Sequence, residues 1–485
     1  MELKLMKKVS VNYLYNVIYQ ILIILMPLIT SPYAARVLGP EAIGISSYSG
    51  ANAKYFILLV GLGFNFYGQR LVSLAKNSSE RNKIFVGIVA SKLVVGVVVF
   101  IAYALLFLCR DVEYREVYFA QSLAIFASII DITWFYAGQE KFKQIVIRNT
   151  ITRLIFIFGL FYFVKSESDL ISYVLVLVGG TFLGNILMWV GVLGKVSWTP
   201  ISIRDIYLVF RKSLIYVIPT IALAVNVTIN QTILGRFSGA TEVGYFSQSF
   251  NIVNVLLTLV TSLGTVMLPR MTKMINEKSK VDDAKRMITG SFKVMTILAI
   301  PIMVALMIVS HRFSIFFYGP SFARIGQLML VESFSILFIA WNNVIGLQYL
   351  MAANRIKEYS FSIAGGGIIT LAAGLLLIPA LGSTGAMMNI VLSEAMVVLI
   401  QVIMTRNDLN YRQMFNDFHK LVLSGALMFV AAITINSRLE INNDFLYLSF
   451  NALMAISFYM FFLIIFNPSV LKNKNVLLSA IRNKG

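Results

Sequence analysis

The sequence predicts an all-α integral membrane protein of about fourteen transmembrane helices, built as two pseudo-symmetric six-helix halves plus a C-terminal helix pair. Three observations predict it. Of 485 residues, 58% are hydrophobic and only 13% charged, with a mean hydropathy of +0.80, whereas soluble domains carry about 25% charged residues. Val9–Ala35, Leu170–Gly194, Ser213–Gly235, Val243–Pro269 and Phe445–Leu471 contain no charge at all, and a span needs about 20 such residues. A short pattern also recurs 200 residues later, as set out below. Lipid offers no partners to backbone N–H and C=O groups, so only helices or closed barrels cross it. Barrels need short alternating strands, and runs this long are helical.

In chain order the predicted spans are 11–35, 43–68, 84–108, 117–138, 146–164, 170–194, 213–235, 243–268, 288–310, 326–349, 361–379, 384–404, 420–437 and 446–466. Tyr359–Ser393 is a single uncharged stretch, divided at the turn signal of Pro379 and Gly382. The first span follows Lys4, Lys7 and Lys8. It is too long for a signal-peptide core and lacks a small-residue cleavage site, so it is read as a retained helix.

Charge orients this arrangement. Of the 41 Lys and Arg residues, 29 fall in the N-terminus and the connections on its side, counting Arg148 and Lys420 at the first turns of their spans, eight in the opposite connections and four further inside spans. Lys/Arg-rich short loops stay in the cytoplasm, so both termini are expected there. The net charge of +19 is then a topology signal with some attraction for anionic membrane lipids, and no nucleic-acid partner is expected.

The repeat is carried by Arg36, Gly39, Gly44, Ser47 and Ser49, which recur as Arg236, Gly239, Gly244, Ser247 and Ser249. Tyr136–Gln144 likewise resembles Leu350–Glu358, again between the fourth and fifth spans of a half. The expected organisation is a six-helix half at 1–194, a cytoplasmic linker at 195–212, a second half at 213–405 and two added helices with a tail at 406–485. Facing six-helix halves are a transporter design, with the substrate between them.

The four intramembrane cations are Lys54, Lys92, Arg153 and Lys293. A basic residue at a span's centre costs about 2.5–3.5 kcal/mol on insertion scales, so it faces protein, water or the interface. Together with Arg36 and Arg236 near the outer ends, they are candidates to line an anion-attracting cavity; the alternative for each is snorkelling. Lys54, in the small and polar stretch Ser46–Lys54, is the leading candidate. Asp131, Glu332 and Glu394 are the acids within spans. They read either as coupling or sugar-binding groups or as partners of buried cations. Asn342 and Gln348 of the tenth span, with Trp341 and Asn343, fit sugar contacts or interhelical hydrogen bonds. Asn12, Asn16 and Gln20 form a polar stripe on the first helix, where Pro27 and Pro32 predict bends.

Enzyme signatures are missing. There is no Walker loop, no HExxH and no G-x-S-x-G elbow, and the single Cys109 and two histidines, His311 and His419, leave little for metal chemistry. No cofactor is expected beyond a coupling proton or sodium ion.

The stretch from Pro27 to Gly44, then Tyr55-Phe56, Leu62-Gly63 and Tyr67-Gly68, resembles the opening of Wzx-type polysaccharide flippases of the multidrug/oligosaccharidyl-lipid/polysaccharide exporter superfamily. Asp131 to Lys143 is similar to that family's fourth-to-fifth-span segment, and Gly346-Leu347-Gln348 to its tenth-span ending. The resemblance implies fourteen spans, no enzymatic activity and alternating access. The implied substrate is an undecaprenyl-pyrophosphate-linked oligosaccharide, moved outward across a bacterial cytoplasmic membrane for capsule, O-antigen or exopolysaccharide assembly beside a polymerase and chain-length machinery. A MATE-like multidrug or cation antiporter and a lipid II flippase share the superfamily. A polysaccharide polymerase or ligase is the non-transporter alternative, although the large external loops it needs are missing.

Overall fold

In a computed structural model of the chain, residues 2–194, 196–197, 200–277 and 281–466 are described, the side chains of 2–25, 217–226, 263, 265 and 266 excepted. The stripe of Asn12, Asn16 and Gln20 lies outside the described side chains. Among the described residues there is no strand.

Among these residues, eleven helices are long and apolar enough to cross a membrane. Two of them are pairs. Glu2–Gly61 is broken at Gly39 (φ 76°, ψ 173°), and Ile356–Thr405 is broken at Gly382 (φ 57°, ψ −135°). With these divided and Val217–Ser238 added, the described chain has the fourteen predicted segments. The first two spans are thus 2–38 and 40–61, the second continued by Phe64–Leu74. The third to sixth are Ser78–Leu108, Arg115–Gly138, Phe142–Phe163 and Glu167–Val190. Val217–Ser238, Ala240–Asn276, Val281–Tyr318 and Ile325–Met351 are the seventh to tenth. The eleventh and twelfth are 356–381 and 383–405, followed by Tyr411–Asn436 and Asp444–Phe466.

Glycine, not proline, makes the first break. The helix runs through Pro27 and Pro32 with helical angles and turns only at Gly39, whose positive φ with extended ψ is territory almost reserved for glycine. Gly239 (φ 88°, ψ 169°) separates the seventh and eighth spans in the same conformation. The sequence repeat is therefore a backbone repeat. It recurs at the other matched segment, where Glu140 (φ 57°) and Asn354 (φ 59°) are both left-handed. There Lys141 N–H donates to Tyr136 O at 2.9 Å, and Arg355 N–H to Leu350 O at 2.8 Å. These are the six-to-one bonds of a Schellman helix ending. The aromatic cores repeat too: Phe85 lies 5.9 Å from Trp134, and Phe292 5.5 Å from Trp341.

The chain divides into two compact units, Met1–Thr232 and Ile233–Gly485, the boundary falling inside the seventh span. Between the sixth and seventh spans runs a short helix, Ile203–Ser213, opened by a capping box of Ser202 and Asp205.

Candidate functional site

In the first unit the fourth span is discontinuous. Its helix stops at Ile129 and restarts at Thr133, so the carbonyls of Ala127, Ile130 and Asp131 lose their usual partners four residues on. Away from water each would cost several kcal/mol (roughly 2–7) if left bare. Side chains of two neighbouring spans meet them instead. Asn185 Nδ2 donates to Ala127 O at 2.7 Å, Trp189 Nε1 to Ile130 O at 2.7 Å, and Lys92 Nζ to Asp131 O at 2.9 Å. Asp131 Oδ1 accepts from Thr133 N–H at 2.9 Å and so caps the restarting helix. Lys92 is only 1% exposed, and its ammonium is engaged by the break.

The two N-terminal segments that carried the family resemblance pack on each other around this break. A Cβ on Gly68 would lie 2.5 Å from the Trp134 ring, and one on Gly138 2.7 Å from Gln69 O. Phe64, Val72, Phe85, Trp134, Phe135, Tyr136 and Met188 close the surrounding core. These glycines are needed for close approach, an architectural role.

The remaining first-unit cations lie differently. Lys54 projects from the exposed side of the second span and Arg36 from the end of the first, while Arg153 is half-buried, its Nη1 3.9 Å from Met26 Sδ. Two residues before Lys54, Asn52 Nδ2 donates to the Tyr118 hydroxyl at 2.7 Å. Thr232 Oγ1 lies 3.3 Å from Asn52 Oδ1 and 3.2 Å from the Tyr55 hydroxyl. This polar junction of the second, fourth and seventh spans was not anticipated from sequence. Nor was the seat of Arg148, counted with the cytoplasmic side at the start of the fifth span. The fifth helix begins at Phe142, so Arg148 lies inside it, where Nη2 donates to Asn185 Oδ1 and Nη1 to Asn149 Oδ1 at 2.6 Å. A lone asparagine in the apolar sixth span was the available signal.

In the second unit Lys293 is 9% exposed and lies 3.6 Å from the buried carboxylate of Asp417, which also takes Lys420 at 3.4 Å. The pair links the ninth span to the start of the thirteenth. Arg236 is exposed near the end of the seventh span. Glu332, 1% exposed, accepts from Ser249 Oγ at 2.6 Å. In the first unit the repeat partner Ser49 instead meets the amide of Gln121, at 3.5 Å.

The tenth span ends in a nine-residue π-helical stretch, Asn343–Met351, a form that favours functional sites. Gln348 is buried there, accepting from Ser291 Oγ at 2.6 Å. Asn342 Oδ1 accepts from Gln401 Nε2 at 2.8 Å, and Gln401 also reaches Ser362 Oγ at 3.1 Å. Glu394 stands beside Asn342 and Tyr359. Glu394 Oε2 and Gln401 Oε1 are buried without a hydrogen-bond partner. The tenth, eleventh and twelfth spans therefore enclose a polar cluster with two unused acceptors. At the end of the tenth span, Arg355 pairs with Glu358 and, at 2.5 Å, with Asp408. The Glu358 bond, aided by Asp408, holds its guanidinium above arginine's ordinary range.

Comparison with known proteins places this arrangement. Two putative O-antigen transporters are similar: one of Escherichia coli (strain K12), 26% identical over 82% of this chain and 96% of its own length, and one of Shigella dysenteriae, 22% identical over 78% and 95%. Among solved structures, the lipid II flippase MurJ in an inward closed conformation matches with a TM-score of 0.78 at 14% identity, covering 96% of this chain and all of that one. An inward-facing multidrug resistance MATE family transporter of the MOP superfamily matches at 0.60 and 9%, covering 79% and 94%. The chain thus shares its fold with these two solved transporters. The family model described as "Polysaccharide biosynthesis protein" matches residues 9–275, more than half of the chain, and the chain belongs to that family.

Proposed function

We propose that this multi-pass membrane protein is not an enzyme but a flippase. It would carry an oligosaccharide linked to undecaprenyl pyrophosphate from the cytoplasmic to the outer leaflet, for capsule, O-antigen or exopolysaccharide assembly, with both termini cytoplasmic. The observation that carries the reading is Lys54, a cation exposed within the second span, with Arg36 exposed at the end of the first, across the break at Gly39. Cations persist in spans where something repays their insertion cost. A pyrophosphate, prohibitive to move bare through hydrocarbon, does so through charge-assisted hydrogen bonds. Arg153 would extend the set, and the parallel repeat supports alternating access. Lys92 and Lys293, each bonded inside its unit, are better assigned to architecture than to cargo. Glu394, with its open oxygen, is the preferred coupling group for a proton or sodium ion. A polymerase and chain-length machinery would receive the product.

The test compares Lys54→Gln and Arg36→Gln with Lys92→Met at matched expression. Surface polysaccharide should fall and the lipid-linked repeat unit accumulate inside for the first two, while Lys92→Met still exports. Normal export by both Lys54→Gln and Arg36→Gln would sink the cation mechanism. Loss of peptidoglycan precursor at the outer face, with polysaccharide intact, would favour a lipid II cargo instead.

A further inference from the structure

The helix Ile203–Ser213 has two faces with different fates. Val209 and Phe210 pack on the first unit's aromatic core, and Ser91 Oγ donates to Ile206 O at 3.2 Å. Close approach fixes the seat: Val209 lies 3.7 Å from where a Gly87 Cβ would be. The other face is open. Ile203 is 85% exposed, Tyr207 58% and, just beyond the helix, Ile215 75%. Arg204, Arg211 and Lys212 are exposed around the same helix. Its one acid, Asp205, is spent on the capping box with Ser202, at 2.8 Å. A seated amphipathic helix with open apolar side chains among cations, in the connection between two membrane spans, matches a lipid interface in both chemistry and position.

We propose that this face lies on the bilayer surface and gathers anionic phospholipid headgroups, with Ile203 and Tyr207 inserted and Arg204, Arg211 and Lys212 holding the phosphates. The inference stands apart from the cargo assignment, since it concerns bulk lipid at a site remote in sequence from Arg36 and Lys54. Basic residues at such a surface attract anionic lipid over about a Debye length.

The experiment uses the full-length chain in nanodiscs, with Cys109→Ser and Tyr207→Cys carrying an environment-sensitive fluorophore. Brominated phosphatidylglycerol and brominated phosphatidylcholine are compared as quenchers at equal mole fraction. Quenching by the anionic lipid should exceed that by the zwitterionic one by about twofold or more at low salt, falling to parity at high salt. The triple variant Arg204→Gln, Arg211→Gln, Lys212→Gln should also reach parity. A second label at Phe158→Cys, 70% exposed on the fifth span, should be quenched alike by both lipids in every variant, showing that the protein remains inserted. Equal quenching at position 207 before any neutralisation would overturn headgroup selection. No quenching there by either lipid would place the face in water or against a protein and overturn the proposal altogether.

Discussion

The substitution Asn185→Leu tests the capped break directly. Asn185 holds Ala127 O at 2.7 Å and receives Arg148 Nη2; leucine keeps the volume and removes both bonds. A stranded buried carbonyl costs about 1–3 kcal/mol, and losing a hydrogen bond to a charged group costs about 1.5–3 kcal/mol. Arg148 keeps its bond to Asn149 at 2.6 Å, which limits the second loss. The leucine methyls return about 1 kcal/mol in apolar packing. The net expectation is about 2–4 kcal/mol of destabilisation, with Trp189→Phe, which strands Ile130 O alone, costing less. Heating of purified protein followed by size-exclusion recovery ranks the variants without requiring reversibility. Adding Arg148→Leu should restore part of the loss, because it removes the stranded guanidinium. An Asn185→Leu protein as heat-resistant as the parent, or milder than Trp189→Phe, would refute the account.

Gly346→Ala should cost about 1–3 kcal/mol by overpacking, since its Cβ would lie 2.7 Å from the Tyr359 ring and 2.8 Å from both Asn342 Oδ1 and Gln401 Nε2; heat resistance should fall. Gly39→Ala and Gly239→Ala should each cost about 1–3 kcal/mol from backbone strain, and by similar amounts, because open space surrounds both Cβ positions; unequal melting losses would show that the two breaks are not equivalent. Asp417→Asn should destabilise by on the order of 3 kcal/mol, leaving Lys293 buried beside no carboxylate. Lys293→Met should cost less, because Asp417 keeps Lys420 at 3.4 Å, and the same melt distinguishes the two. Arg355→Gln, which breaks a part-exposed link to Glu358 and Asp408, should cost about 1–2 kcal/mol after solvent screening, read as faster limited proteolysis of the connection at 406–410.

The spans, their number and the repeat were legible because each has a one-dimensional signature: an uncharged run, or Gly39 and Gly239 in matching frames. Helix ends were less so. The eighth and ninth helices continue to Asn276 and Tyr318, past the apolar runs, because a helix that has left the hydrocarbon keeps its hydrogen bonds in water. The bend expected at Pro27 and Pro32 falls at Gly39, since proline removes one bond from a helix whereas Gly39 turns its direction. The fourth-span break was hidden. Nothing in Ile130-Asp131-Ile132 announces it, and its proof is the trio of side chains that arrive from elsewhere.

That trio explains why a ledger of charges could not assign roles to the buried cations. The ledger pairs letters of opposite sign, but a carbonyl orphaned by a broken helix has no letter, and Lys92 is matched to one. What remains after Lys92 and Lys293 are accounted for is asymmetric between the units. The repeat partner of Arg36 is Arg236, but that of Lys54 is Asn254, and that of Asn52 is Ile252. Conversely Ser49 meets Gln121 where Ser249 meets Glu332, and the open carboxyl of Glu394 belongs to the second unit alone. Among the described residues, Lys54 is thus an intraspan cation that the second copy does not repeat, and Glu332 and Glu394 are intraspan acids that the first copy does not repeat. The proposed function asks for both signs, a cation for an anionic headgroup and an acid for a coupling cation, on different residues. On the proposed function, Lys54 and Glu394 are therefore the pair whose separate substitution should uncouple cargo binding from its driving ion, one lowering export through the headgroup and the other through the coupling step.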